Sequence, residues 1–390
     1  MAAAEQLLLD FAVVLIAAEI GGSLFRRLRM PRVVGMLVAG IFLGPFTPGY
    51  TVDPTGPLAN LALLGAVFLM FSTGLSFDIR GFRKLGIRPF VLAAVGMVTS
   101  FVGGLALGFL FGWPLLPATF LGLILTSTST TLGLKLLADS GYGAVRGADL
   151  VTASILIDDI VALSLMTIVV GVASPAPLPI LALVAGLLGI LGLAAFLVFL
   201  GSHALPRVLK ATDTISPSST ILFAVSFGLL ISFAFAVLGL PPLVGAFFAG
   251  SIVASTEFGP RVSRHIAPVT ALFMGVFFAS TGSLINPAHI PGVFVLSLGA
   301  IGVAAAAKLI PGALILRRAA DVRNDDAWPL AATLIPRAEI SLIIAQYGIT
   351  IGITRDLLAI AMTVMIGTAL LPAPILEFAK RRSSVAASAE

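Results

Sequence analysis

Apolar runs of roughly 20 residues, the length a helix needs to cross a hydrocarbon core about 30 Å thick, recur along this 390-residue chain from one end to the other. Such a pattern leaves little room for a water-soluble core. Hydrophobic residues make up 58% of the chain and charged residues 11%, with a mean hydropathy of +1.12, which is far from the composition of a soluble domain. The expected fold class is therefore an all-α polytopic membrane protein.

The longest polar connector, from Gly201 to Ser216, is too short to bury a core of its own. No Gly-rich nucleotide-binding unit follows the last apolar run, so no fused regulatory domain is expected. The first residues, MAAAEQLLLDF, carry no basic residue ahead of the apolar run, so the first helix is expected to be retained rather than cleaved as a signal. Cysteine is absent, which excludes disulfides and thiolate metal sites. A net charge of +5 and a pI near 10 would suit a nucleic-acid partner, but in so apolar a chain basic residues mark cytoplasmic loops.

Apolar segments between turn signals give thirteen spans: 6–26, 31–48, 57–77, 89–112, 115–137, 147–172, 178–200, 216–238, 241–255, 265–285, 290–315, 327–352 and 357–379. Twenty of the 23 Lys and Arg residues then fall in or beside alternate connectors, and Arg355 alone falls on the other side. The excess of positive charge marks the cytoplasm. It predicts an outer N-terminus and a cytoplasmic C-terminus.

The span opening Pro31-Arg-Val-Val-Gly-Met-Leu-Val-Ala-Gly40 matches the one opening Pro241-Pro-Leu-Val-Gly-Ala-Phe-Phe-Ala-Gly250 at five of ten positions. The next span of each set contains Ser-Thr-Gly, at 72–74 and at 280–282. Small residues at such spacing also serve helix packing, but packing does not require the same order twice. The matches predict two repeats, 6–172 and 216–379, with 178–200 as a linker helix that inverts the second. Inverted repeats characterise secondary transporters, whose substrate site lies near the midplane.

Ionisable residues inside a span are costly unless paired or hydrated. Asp10 and Glu19 lie in the first span, where a structural role is expected and where Asp10 is near enough to the outer end to reach water. Asp158 and Asp159 are centred in the sixth span, too deep to reach either surface. Adjacent helical residues point about 100° apart, so the two carboxylates can take different partners. Lys308 has no acid in its own span and must find one on another helix. The fifth span contains the hydroxyl run Thr126 to Thr131 and the twelfth contains Pro336, flanked by Arg337 and Glu339. Hydroxyls satisfy the backbone where a helix unwinds, so two broken helices are expected to cross beside the site. Arg337 and Glu339 would neutralise the broken ends or pair with each other.

Taken in order, these segments resemble the monovalent cation:proton antiporter superfamily, specifically its thirteen-helix bacterial sodium/proton antiporters with an Asp-Asp motif. The resemblance rests on 31–45, Phe71 to Asp78, Thr126 to Thr131, Ile157-Asp-Asp-Ile160, Pro241 to Gly250, Lys308 and Ile335-Pro-Arg-Ala-Glu-Ile340, and it covers nearly the whole chain. Met36 stands where a glutamate is often found, away from the core site. The resemblance implies an NhaA-like fold with two crossing discontinuous helices. It divides the chain into a dimer panel, spans within 6–77 and 216–285, and a transport core, spans within 89–172 and 290–379. It also implies a homodimer.

Carried over by position, Asp159 would bind the cation and the proton and Asp158 would pair with Lys308. Thr126, Ser127, Thr128, Pro336, Arg337 and Glu339 would line or support the crossing. The implied activity is electrogenic export of Na+ (or Li+) against two protons, by alternating access and without a cofactor. A K+/H+ antiporter of the same superfamily and a sodium-coupled organic solute symporter of the same fold are the alternatives. An enzyme is not expected, because His203, His265 and His289 are scattered, without metal-ligand spacing or a nucleophile beside a base.

Overall fold

A computed structural model of the chain describes residues 3–28, 30–53, 56–76, 86–172, 192, 204–237, 242–319, 322–337, 339–354 and 356–387. Among these there is no strand. The helices are α1 (Ala3–Arg27), α2 (Arg32–Ile41), α3 (Pro57–Leu75), α4 (Arg88–Leu110), α5 (Leu115–Thr126), α6 (Thr130–Asp139) and α7 (Ala148–Val172). After them come α8 (Pro217–Val237), α9 (Pro242–Ala254), α10 (Gly259–Ser283), α11 (Ile290–Ala319), α12 (Asn324–Ala332), α13 (Glu339–Thr350), α14 (Asp356–Leu370) and α15 (Pro372–Ala387). Seven segments of the described chain are long and apolar enough to cross a membrane, and four shorter apolar helices accompany them.

The expected boundaries shift where turn chemistry intervenes. The span expected at 31–48 is helical only to Ile41, because Gly44-Pro45 and Pro48-Gly49 follow, and Gly49 at φ +131° takes a conformation that favours glycine. The Thr47 hydroxyl donates to the Ile41 carbonyl at 2.9 Å and closes the helix end. The span expected at 265–285 begins earlier, at Gly259. The last span breaks after Leu370, where Pro372 offers no backbone donor. The connector expected at 201–216 is helical over 204–213. The linker expected at 178–200 lies outside the described residues apart from residue 192, as do Asp78 and the connector around it.

The chain forms two compact units. The first comprises Met1–Lys84 and Ser174–Ile285, the second Leu85–Ala173 and Asn286–Glu390. In the first unit α3 packs on α9 and α10, and α2 on α1 and α10. The glycines of the matched motifs are the points of closest approach. A Cβ on Gly74 would collide with the Phe247 carbonyl, and one on Gly250 with that of Phe71. Gly40 meets the Ala279 carbonyl and Gly282 that of Leu37 in the same way. Each Pro-to-Gly motif thus packs on the Ser-Thr-Gly helix that follows the other one, backbone against backbone, as small residues allow in membranes. Neither side of these contacts is a flexible side chain. Gly74→Ala is therefore expected to cost about 1–3 kcal/mol, the usual range for an overpacked site, seen as a lower melting temperature in detergent.

The two charges of α1 are accounted for locally. Asp10 is 6% exposed rather than open to water. It accepts bonds from the Tyr50 hydroxyl at 2.6 Å and from Gln6 at 2.8 Å. Sharing its proton with that carboxylate pushes the Tyr50 phenol above its usual pKa. Glu19 is exposed and pairs with Arg32.

Candidate functional site

The second unit contains two helices that stop halfway. The apolar stretch starting at Leu115 ends as α5 at Thr126, runs through Ser127 in an extended conformation and resumes as α6 at Thr130. The stretch starting at Asn324 ends as α12 at Ala332 and resumes as α13 at Glu339. The breaks meet, since the Ser129 N–H donates to the Pro336 carbonyl at 2.7 Å. Hydroxyl groups satisfy much of the freed backbone, as a break at membrane depth requires. Ser341 donates to the Ile124 carbonyl at 2.7 Å and lies 3.2 Å from the Ser127 hydroxyl. The Ser129 hydroxyl accepts from the Leu132 N–H at 3.3 Å and so caps the start of α6. The Arg337 N–H donates to Thr368 of α14 at 3.0 Å.

Against these breaks α7 presents its two carboxylates, both inaccessible, Asp158 at 0% and Asp159 at 2% exposure. The angle between adjacent helical positions sends them to different partners. Asp158 Oδ2 accepts from Thr128 at 2.7 Å and from Lys308 Nζ of α11 at 2.5 Å. Asp159 Oδ2 accepts from Thr130, the first residue of α6, at 2.5 Å. The positive end of a helix dipole therefore stands next to Asp159, which favours negative charge there.

Two cations share the site with the two carboxylates. Lys308 is 1% exposed and forms a salt bridge with Asp158. Arg337 is fully buried, and its guanidinium donates to the carbonyls of Leu334 at 3.1 Å and Ile335 at 2.9 Å, just past the end of α12. It also reaches the Ala304 carbonyl at 3.2 Å. A cation at the C-terminal end of a half-helix offsets the negative end of its dipole. One oxygen of Asp158, Oδ1, is buried with no hydrogen-bond partner among the described residues.

The structure thus brings Asp158, Lys308, Thr128, Pro336 and Arg337 together around the crossing, with Asp159 beside it. Thr126 is different, for its hydroxyl returns to the Leu123 carbonyl of its own helix at 2.6 Å. The Glu339 side chain lies outside the described residues, and the Arg337 guanidinium bonds described above run to carbonyl groups. Sequence reasoning passed over Thr130 as a carboxylate partner, along with Ser341 and Thr368. Thr130 sat within the hydroxyl run, but nothing in that run says which hydroxyl faces α7. Ser341 and Thr368 are single hydroxyls in apolar helices, where the usual partner is the residue's own helix.

A helical membrane protein with paired half-helices around buried carboxylates belongs to the class of secondary transporters. A family model described as "Sodium/hydrogen exchanger, transmembrane" matches residues 12–378, and the chain belongs to that family of ion transporters. It is 27% identical to the Na(+)/H(+)-K(+) antiporter GerN of Bacillus cereus over 95% of both chains. It is 22% identical to the K(+)/H(+) antiporter subunit KhtU of Bacillus subtilis, over 97% of this chain and 94% of that protein. Its fold is similar to that of the sodium proton antiporter MjNhaP1 from Methanocaldococcus jannaschii, with a TM-score of 0.64 and 14% identity over 96% and 97% of the two chains.

Proposed function

We propose that this protein exchanges a monovalent cation, Na+ first among them, for protons across the cell membrane by alternating access, with Asp159 as the exchange site. The observation that carries this reading is the division of labour on α7. Asp158 is tied to a buried ammonium, while its neighbour meets a hydroxyl at the positive end of a half-helix. A carboxylate so placed can hold either a proton or a dehydrated Na+, and the two compete for the same oxygens. Cation arrival at Asp159 draws on the same field that holds Lys308 to Asp158. Burial penalises either member of that pair when the other is withdrawn, so Lys308 sheds a proton as the cation-loaded form moves. The cycle then carries two protons in, on Asp159 and Lys308, for one Na+ out.

The names of the relatives support Na+ and keep K+ as a second cation of interest, since GerN is named for both. The matched motifs support thirteen spans in an NhaA-like arrangement with inverted repeats. In this reading the second unit carries the site as the moving core, and the first serves as the panel of a homodimer. The basic connectors support an outer N-terminus and an inner C-terminus, and the bacterial relatives support a bacterial inner membrane.

The test is exchange in proteoliposomes with a cation series of Na+, Li+ and K+ at several pH values, with and without an imposed potential. One net charge per cycle is worth about 2.3 kcal/mol per 100 mV, so an interior-negative potential is expected to drive Na+ export. Rates that ignore the potential would remove the two-to-one stoichiometry, and exchange confined to K+ would reassign the cation.

A further inference from the structure

Pro311 lies inside α11, three residues beyond Lys308. A proline has no N–H, so the carbonyl four residues before it, that of Ala307, loses its donor within the helix. That carbonyl immediately precedes the lysine. Thr99 of α4 reaches it, with Oγ1 2.7 Å from the Ala307 oxygen. The hydroxyl has one proton and also lies 2.7 Å from the Val95 carbonyl of its own helix, so the tie between helices can be made and released without leaving Thr99 unsatisfied.

One turn earlier on the same face of α4, Gly96 lies against the lysine side chain. A Cβ at Gly96 would stand 2.9 Å from Lys308 Cδ, 3.3 Å from Cε and 3.2 Å from Nζ. This differs from ordinary small-residue packing. The Cβ of a substituted Gly103, further along α4, would meet the Val303 side chain and nothing charged. Ser100, next to Thr99, lies at the edge of the same site, 3.5 Å from Arg337 Nη2.

We propose that Gly96 and Thr99 are positioning residues for the exchange, forming a seat on α4 that sets the Lys308 ammonium against Asp158 at a turn loosened by Pro311. Gly96 leaves the volume that the lysine stem occupies, and Thr99 replaces the missing helix bond beside it. The inference rests on the reading that the Asp158–Lys308 pair takes part in transport.

The test uses Gly96→Ala, Thr99→Val and Thr99→Ser in the full-length protein, with Na+ as the probe in proteoliposomes. Gly96→Ala and Thr99→Val are each expected to lower the maximal exchange rate about fivefold or more, which corresponds to about 1 kcal/mol, without raising the apparent KM for Na+, because the oxygens of Asp159 are untouched. Thr99→Ser, which keeps the hydroxyl, is expected to recover most of the rate. Melting in detergent supplies an independent readout. Gly96→Ala should lower the melting temperature in the wild type and not in a Lys308→Ala background, where the new methyl fills vacated space.

An equal loss in both backgrounds would mean that the methyl does not meet the lysine, and wild-type rates for both Gly96→Ala and Thr99→Val would overturn the seat. Thr99→Val, isosteric with the native residue, carries the test should Gly96→Ala not fold. Asp159→Asn separates the two levels. If that variant still exchanges, the site reading falls. If it is inactive while the α4 variants run at full rate, only the seat falls.

Discussion

Replacing Asp159 with asparagine is expected to reduce Na+-driven proton movement in proteoliposomes at least about 100-fold, equivalent to about 3 kcal/mol of lost stabilisation. The amide keeps the shape of the carboxylate, and its oxygen can still accept the Thr130 hydroxyl that now lies 2.5 Å from Oδ2. What it loses is the ability to carry a proton or to balance a cation. The melting temperature of the variant should therefore stay close to that of the wild type while transport disappears. A variant with undiminished exchange would place the site elsewhere in the chain.

Lys308→Ala is expected to act in the opposite order, on stability before transport. Asp158 would keep the Thr128 hydroxyl but lose the ammonium 2.5 Å away, at a position with 0% exposure. Removing one member of a buried pair costs about 3–5 kcal/mol, whereas replacing both with neutral groups of similar size is often tolerated. The Asp158→Asn, Lys308→Met double variant should thus melt above Lys308→Ala alone. If the single and double variants melt together, the pair contributes little to holding the site. In transport, the double variant is expected to move one proton per Na+ and to lose its response to membrane potential.

Much of this was legible in the sequence because charge in lipid is expensive. Asp158, Asp159, Lys308 and Arg337 stand out for that reason alone, and all four are buried in the second unit. Adjacency on α7 separates the two aspartates but does not say which one the lysine takes; resemblance, rather than spacing, suggested Asp158. The interruption at Pro336 was visible from its missing N–H, whereas the early end of α2 depended on how two glycine-proline pairs turn. The roles of Thr130, Ser341, Gly96 and Thr99 depend on which helix lies opposite. A hydroxyl or a glycine in an apolar run has the same local appearance whether it touches lipid, backbone or a lysine.

The crosswise glycine contacts of the first unit also bear on how the chain is made. Gly40 and Gly74 are inserted early, yet the carbonyls they meet, those of Ala279 and Phe247, belong to α10 and α9, which are synthesised much later. At a synthesis rate of about 5–20 residues per second, α2 and α3 wait on the order of ten seconds for α10 and α9. During that interval the early helices expose the small-residue grooves that α9 and α10 will later fill. Completion of the first unit is therefore a late event in biogenesis, and a ribosome stalled before α9 should leave α2 and α3 inserted but open to chaperones or to protease.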